Sequence, residues 1–193
     1  EVFTKRSTFS VVTEYMIAGF EHILPMGLDH ILFILGIFLL STRMKPLLWQ
    51  VTMFTVAHTI TLGLSMNGVI DLPANIVEPL IALSIAYIGF ENIYHKSLHN
   101  SRLVIVFAFG LLHGMGFASV LQEFGMPADA FLTALISFNI GVEIGQLVII
   151  TLGFLTVGFW FSKKPWYRQV VIIPGSLAIA LTGLYWTYDR VII

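Results

Sequence analysis

The sequence predicts an all-α fold: a polytopic transmembrane bundle of about six spans whose first helix is broken. Three observations carry that expectation. The 193-residue chain is 57% hydrophobic and only 11% charged, whereas a soluble domain carries about 25% charged residues. The apolar residues fall into runs of roughly 18 or more, the length a bilayer core of about 30 Å demands. These runs take up most of the chain, leaving a single integral membrane domain over 1–193 with a short extracytoplasmic segment, 1–10. A soluble enzyme is excluded, and so is a nucleic-acid binder, since the net charge is −1 with no basic patch. The chain has no cysteine, which removes disulfides, zinc ribbons, iron–sulfur clusters and thiol nucleophiles. It opens on Glu1 rather than Met, which predicts that an upstream segment has been removed.

The first apolar stretch, Val11–Leu40, is interrupted by Pro25 and Gly27. Leu28–Leu40 alone rises only ~20 Å, so Val12–Leu24 must share the crossing or lie at the interface as a half-helix. A helix broken inside a membrane frees backbone groups, tolerated only where protein or a water-lined cavity receives them. Leu47–Met66 is the second span, introduced by Pro46 and closed before Asn67-Gly68. Asn75 is expected to cap the third, Ile76–Tyr94. Leu103–Leu121 is the fourth, Phe131–Phe161 the long fifth, and Val170–Tyr188 the sixth, with Pro174 near its first turn. A relation between spans 1–3 and 4–6 as inverted repeats is open, because three crossings per half would invert the second.

Six crossings fix an orientation through charge. The links after spans one, three and five hold Arg43, Lys45, Lys96, Arg102, Lys163, Lys164 and Arg168, and the other side holds only Lys5, Arg6 and Arg190. Asp71, Glu123 and Asp129 also lie on that other side. Seven basic residues against three put both termini outside the cytoplasm.

A polar group at bilayer depth costs roughly 2.5–3.5 kcal/mol on insertion scales, so each one needs a reason. Those present are His22, Asp29 and His30 on the first span, His58 on the second, Glu78 and Glu91 flanking the third, His113 on the fourth, and Asn139, Glu143 and Gln146 on the fifth. With the topology above, His58 and His113 each lie ~12 Å below the outer surface. Asn139 reaches the same depth from the other direction, Glu143 lies one turn deeper, and Asp29 and His30 follow the break in the outer half of the first span. Residues from four helices therefore converge on one layer facing the non-cytoplasmic side.

Imidazole nitrogen with carboxylate oxygen suits borderline divalent ions such as Ni²⁺, Co²⁺ or Zn²⁺. The break lets His22 fold back toward Asp29 and His30. Against this stands a plain reading in which His22 anchors at the headgroup layer and Asp29 caps the following helix. His58, flanked by Thr55, Thr59 and Thr61, could equally make a helix–helix hydrogen bond. Gly110-x3-Gly114 and Gly141-x3-Gly145 enclose His113 and Glu143, and packing accounts for the glycines but not for a carboxylate between them. Glu143 therefore calls for a partner, His113 or a bound cation. Asn139, Glu143 and Gln146 share one helical face and read as the wall of a pathway. Glu78 stands near the outer mouth, Glu91 is expected to pair with a local Lys or Arg, and His95 and His99 read as solvated interfacial residues. Without cysteine, Cu(I) ranks below nickel and cobalt despite Met26 and Met115.

Four motifs in this order resemble the HupE/UreJ family of small membrane proteins: Gly19-Phe-Glu-His22 with Gly27-Leu-Asp29-His30, Phe54-Thr-Val-Ala-His58, Gly110-Leu-Leu-His113-Gly, and Phe138-Asn139-Ile-Gly-Val-Glu143 with Gln146. The resemblance covers nearly all of 13–155. Six residues separate His22 from Asp29, one more than in the family's best-described signature. The resemblance implies a nickel or cobalt permease, not an enzyme, with His22, Asp29 and His30 recognising the metal. His58, His113, Asn139 and Glu143 join that set on depth alone. The expected partners are the metal ion as substrate, the lipid bilayer, and a second copy of the chain as a candidate. Capture would require neutral histidines and should weaken below about pH 6, where unperturbed imidazole is protonated. Two other readings stay open: a haem held by His58 and His113 as axial ligands, and a structural subunit whose polar residues only join helices.

Overall fold

The computed structural model describes residues 7–99, 101–118, 121, 125 and 127–192, and these are helical without a strand. Lys5, Arg6 and Glu123 of the charge comparison lie outside the described residues. Helix α1, Thr8–Ile23, starts at Ser7, whose Oγ accepts from the Ser10 amide at 3.1 Å. It ends at the Leu24-Pro25-Met26-Gly27 break, and α2, Leu28–Leu40, leaves at 70°. Then follow α3, Met44–Met66, α4, Ala74–Tyr94, and α5, Arg102–Gly116. Helix α6, Phe131–Gly153, continues through a π-helical stretch, Phe154–Gly158, to Phe161. Helix α7, Ile173–Ile192, is entered through a second π-helical stretch, Arg168–Ile172. That wider turn immediately precedes Pro174, whose ring crowds the carbonyl one turn back in a regular helix.

Local chemistry shifts some predicted boundaries. Helix α3 begins ahead of Pro46, which sits in the first turn where a missing amide hydrogen costs nothing. Helix α4 begins after Pro73, so Asn75 lies inside the helix and not at its cap. Among the described residues four helices are long and apolar enough to cross a membrane, and the bent α1–α2 pair, taken as one broken span, makes a fifth. The predicted fourth span, Leu103–Leu121, is represented by the 15-residue α5, which rises only about 22 Å. Residues 119 and 120 at its predicted end lie outside the described residues.

Three close helix pairs build the bundle: α1 with α6, α3 with α5, and α4 with α7. Their directions follow from which residues meet. Gly110 faces Phe54 and Ala57 while Gly114 faces His58, so α3 and α5 run parallel. Gly89 faces Ala180 while Gly183 faces Ala82 and Ala86, so α4 and α7 are antiparallel. Gly19 against Phe138 and Ile23 against Gly145 make α1 and α6 parallel. Exchanging spans 1–3 with 4–6 turns the α1–α6 pair into the α3–α5 pair and the α4–α7 pair into itself. This is the pairing an inverted repeat leaves unchanged. Helix α2 descends through the middle, with Gly36 against Ile88 and Ile179 and Phe38 against Gly153 and Gly158.

The glycines permit this approach. A Cβ at Gly141 would strike the backbone of Met16 and Phe20, and one at Gly114 would strike the His58 carbonyl and Thr61 Oγ1. Gly141→Leu should therefore force α1 from α6 and cost about 1–3 kcal/mol or more, read as a lower melting temperature in detergent.

Candidate metal centre

Each histidine reaches the centre for a local reason. The Pro25–Gly27 break turns the last turn of α1 against the first turn of α2, setting the His22 and His30 rings 4.7 Å apart between centroids. The His58 ring comes in from α3 at 5.9 Å from His22 and 5.8 Å from His30. His113 of α5 stands 4.8 Å from His30, held there because Gly114 lets α5 lie directly on the His58 backbone. One ring nitrogen each of His22, His30 and His58 lies within 4.8 Å of the other two. Some point is then no farther than 4.8 Å divided by √3, about 2.8 Å, from all three. Metal–imidazole bonds are about 2.0–2.1 Å, so movements under an ångström would close the set around an ion.

The surroundings decide which nitrogens are free. Asn139 Nδ2 donates to the Leu135 carbonyl at 2.8 Å, which leaves its Oδ1 to accept from His58 Nδ1 at 2.9 Å. The proton is therefore assigned to Nδ1, and the lone pair of His58 to Nε2, which has no protein partner. Ser84 repeats the device on α4. Its hydroxyl donates to the Ile81 carbonyl at 2.7 Å, so its oxygen accepts from His113 Nε2 at 3.2 Å. The lone pair of His113 is left on the unpartnered Nδ1. His22 Nε2 and both nitrogens of His30 are likewise buried without a hydrogen-bond partner. Five buried imidazole nitrogens without partners on four neighbouring rings is a costly arrangement for a structural core. It fits a ligand set. Phe33, Phe54, Phe117 and Phe138 wall the group, with Phe117 3.8 Å from the His22 ring.

The acids lie elsewhere. Asp29 is turned from the three-histidine group and accepts from Arg190 Nη2 through both carboxylate oxygens, each at 3.0 Å. Nor does it cap α2, whose first turn has no side-chain cap bond. Glu143 is not joined to His113. One turn beyond Asn139, it faces α3 at Thr52, whose hydroxyl donates to it at 2.7 Å. Gln146 accepts from Thr55 at 3.2 Å. The α3–α6 seam is thus a polar ladder with rungs His58–Asn139, Thr55–Gln146 and Thr52–Glu143, the last two crossing. Its foot, Thr52, lines a cavity of about 560 Å³ beside Met44, Lys45 and Trp49. Glu78 is exposed and borders a cavity of about 320 Å³ that also touches His22, His30 and His113.

At the opposite end of the bundle Glu91 pairs with Arg102, as its position predicts, and also meets His99 Nε2 at 2.6 Å. His95 is exposed, as expected of an interfacial residue, whereas His99 is half-buried and engaged by Glu91 and Ser101. Sequence reasoning missed the tautomer-setting Ser84, although the position of His113 on a neighbouring helix at matching depth was the available signal. It also missed Arg190 as the partner of Asp29.

Fold and site together define a polytopic helical membrane protein with a buried cluster of four histidines beneath an acid-bordered cavity. The chain belongs to the HupE/UreJ family: the family model described as "HupE / UreJ protein" matches residues 1–190. Members of that family are generally connected with nickel and cobalt transport. Neither the curated proteins nor the solved structures contain a match to the chain.

Proposed function

We propose that the protein is a permease for a divalent transition-metal ion, nickel or cobalt, that moves its substrate without nucleotide hydrolysis. The observation that carries this is the convergence of His22, His30 and His58, with His113 beside them, on one point with unpartnered nitrogens. Three or four neutral imidazoles without thiolate suit nickel, cobalt, copper and zinc, and the family connection favours the first two. In the orientation that the basic residues favour, the 320 Å³ cavity opens on the non-cytoplasmic side. The ion would enter there past Asp29 and Glu78, shed water in the phenylalanine-walled cluster, and descend the polar ladder by way of Glu143 to the cavity at Thr52. A haem between His58 and His113 is the weaker reading, because the His30 and Phe54 rings already pack against both.

Proteoliposomes containing the protein should accumulate Ni²⁺ or Co²⁺, and the purified protein should bind the ion with no Soret band. A sample that neither binds nor transports either ion overturns the proposal. Asn139→Leu should weaken binding by about 10- to 100-fold, as loss of a ligand-orienting partner does elsewhere, in calorimetric titration with Ni²⁺. Unchanged affinity in that variant would remove His58 from the ligand set.

A further inference from the structure

Arg190, in the last turn of α7, is the one Lys or Arg among the described residues lining the histidine cavity. It joins three helices across 161 positions of sequence. Nη2 donates to both oxygens of Asp29 in the first turn of α2, and Nη1 donates to the Glu78 carbonyl on α4 at 3.1 Å. Its guanidinium also lies 5.4 Å from the centre of the Trp186 ring, one turn back on α7. The Arg190 and Asp29 side chains are 23% and 28% exposed, so a solvated ion can reach the pair.

A charge-assisted guanidinium–carboxylate contact is stronger than a neutral hydrogen bond, and this one, made by Nη2 alone to both oxygens, stands where a cationic substrate would first meet a carboxylate. The fixed positive charge repels every cation at the mouth and neutralises the acid that would attract it. A monovalent ion brings no more charge to Asp29 than the guanidinium it would displace, and it must displace an ion pair already held in place through the Glu78 carbonyl. A divalent ion brings twice the charge and can replace it. Displacement also unties the end of α7 from α2, freeing one side of the cavity rim. We propose that Arg190 is a resident counter-cation that guards the entry and selects divalent over monovalent cations by competing for Asp29. This rests on the permease reading above.

The test is calorimetric titration of purified protein with NiCl₂, with and without added KCl at constant ionic strength, on the native chain and on Arg190→Gln and Arg190→Lys. Arg190→Gln should bind Ni²⁺ about tenfold more tightly or better, since a nearby like charge is gone. Its affinity should then fall several-fold in K⁺, to which the native protein is indifferent. Arg190→Lys keeps the charge but cannot hold Asp29 and the Glu78 carbonyl through two separate nitrogens and should fall between the two. Unchanged or weaker binding in Arg190→Gln, with the native protein binding normally, overturns the guard alone. If the native protein binds neither Ni²⁺ nor Co²⁺, the permease reading falls and the guard with it. Should Arg190→Gln fail to fold, Arg190→Lys decides: tighter binding than native supports the guard, and native affinity overturns it.

Discussion

Replacing His30 by Ala is expected to lower Ni²⁺ or Co²⁺ affinity by more than the roughly 10- to 100-fold of an orienting residue and to reduce uptake to background. His30 is the ring that touches all the others, at 4.7 Å from His22, 5.8 Å from His58 and 4.8 Å from His113. It is also the histidine with both nitrogens unpartnered, so its removal strands no donor or acceptor elsewhere in the protein. The stability cost is that of a buried cavity, while the cost in function is a ligand. His58→Ala should differ in kind, because Asn139 loses the donor its Oδ1 accepts from and a buried orphan adds about 1–3 kcal/mol. Glu143→Gln lies below the cluster on the ladder, and there capture should persist while uptake falls. Titration and uptake measured side by side on the three variants separate site from route. Native affinity in His30→Ala would leave the cluster as packing.

What the sequence made legible was depth. A polar residue in an apolar run has a position along its helix, and alternation of crossings converts that position into a layer. His30, His58, His113 and Asn139 could be grouped this way because the question was one-dimensional, and His22 joined them through the break that folds it back. Azimuth was not legible. Asp29 and Glu143 share the layer, or lie within a turn of it, but each points from the cluster toward a partner that depth does not reveal. Thr52 lies on the neighbouring helix with no charge to announce it. Arg190 reaches Asp29 because a long side chain closes a gap between elements 161 residues apart. The parallel pairing of α1 with α6 was equally hidden, since it depends on glycines whose contacts appear only when two helices are placed. The Pro25–Gly27 break was the exception, because its cause is local: the amide donor missing at Pro25 removes a helical bond wherever the chain goes.

Arg102→Leu is expected to cause the largest loss of stability, about 3–5 kcal/mol, the range for stranding one partner of a buried ion pair. Arg102 and Glu91 are each 2% exposed at the side chain. Beyond its bond to Glu91, the guanidinium donates through Nε to Gln50 Oε1 at 2.9 Å and through Nη1 to Asn92 Oδ1 at 3.2 Å. Asn92 in turn donates to the Gly36 carbonyl at 2.7 Å and to Ser176 at 3.2 Å. One side chain thus ties α5 to α3 and α4, and through Asn92 to α2 and α7. Leucine fills part of the volume but leaves a carboxylate buried with only His99 beside it. Changing Glu91 to Gln in the same chain removes the stranded charge and should recover a large share of the loss, as double-variant thermal melts in detergent will read. A pair that merely decorated the surface would show losses under about 1 kcal/mol and no recovery. The network sits at the far end of the bundle from the histidines, so whatever fraction of Arg102→Leu remains folded should bind Ni²⁺ with native affinity. Loss of stability without loss of affinity would mark this end as the fixed base against which the histidine end opens, and coupled loss of both would contradict that division.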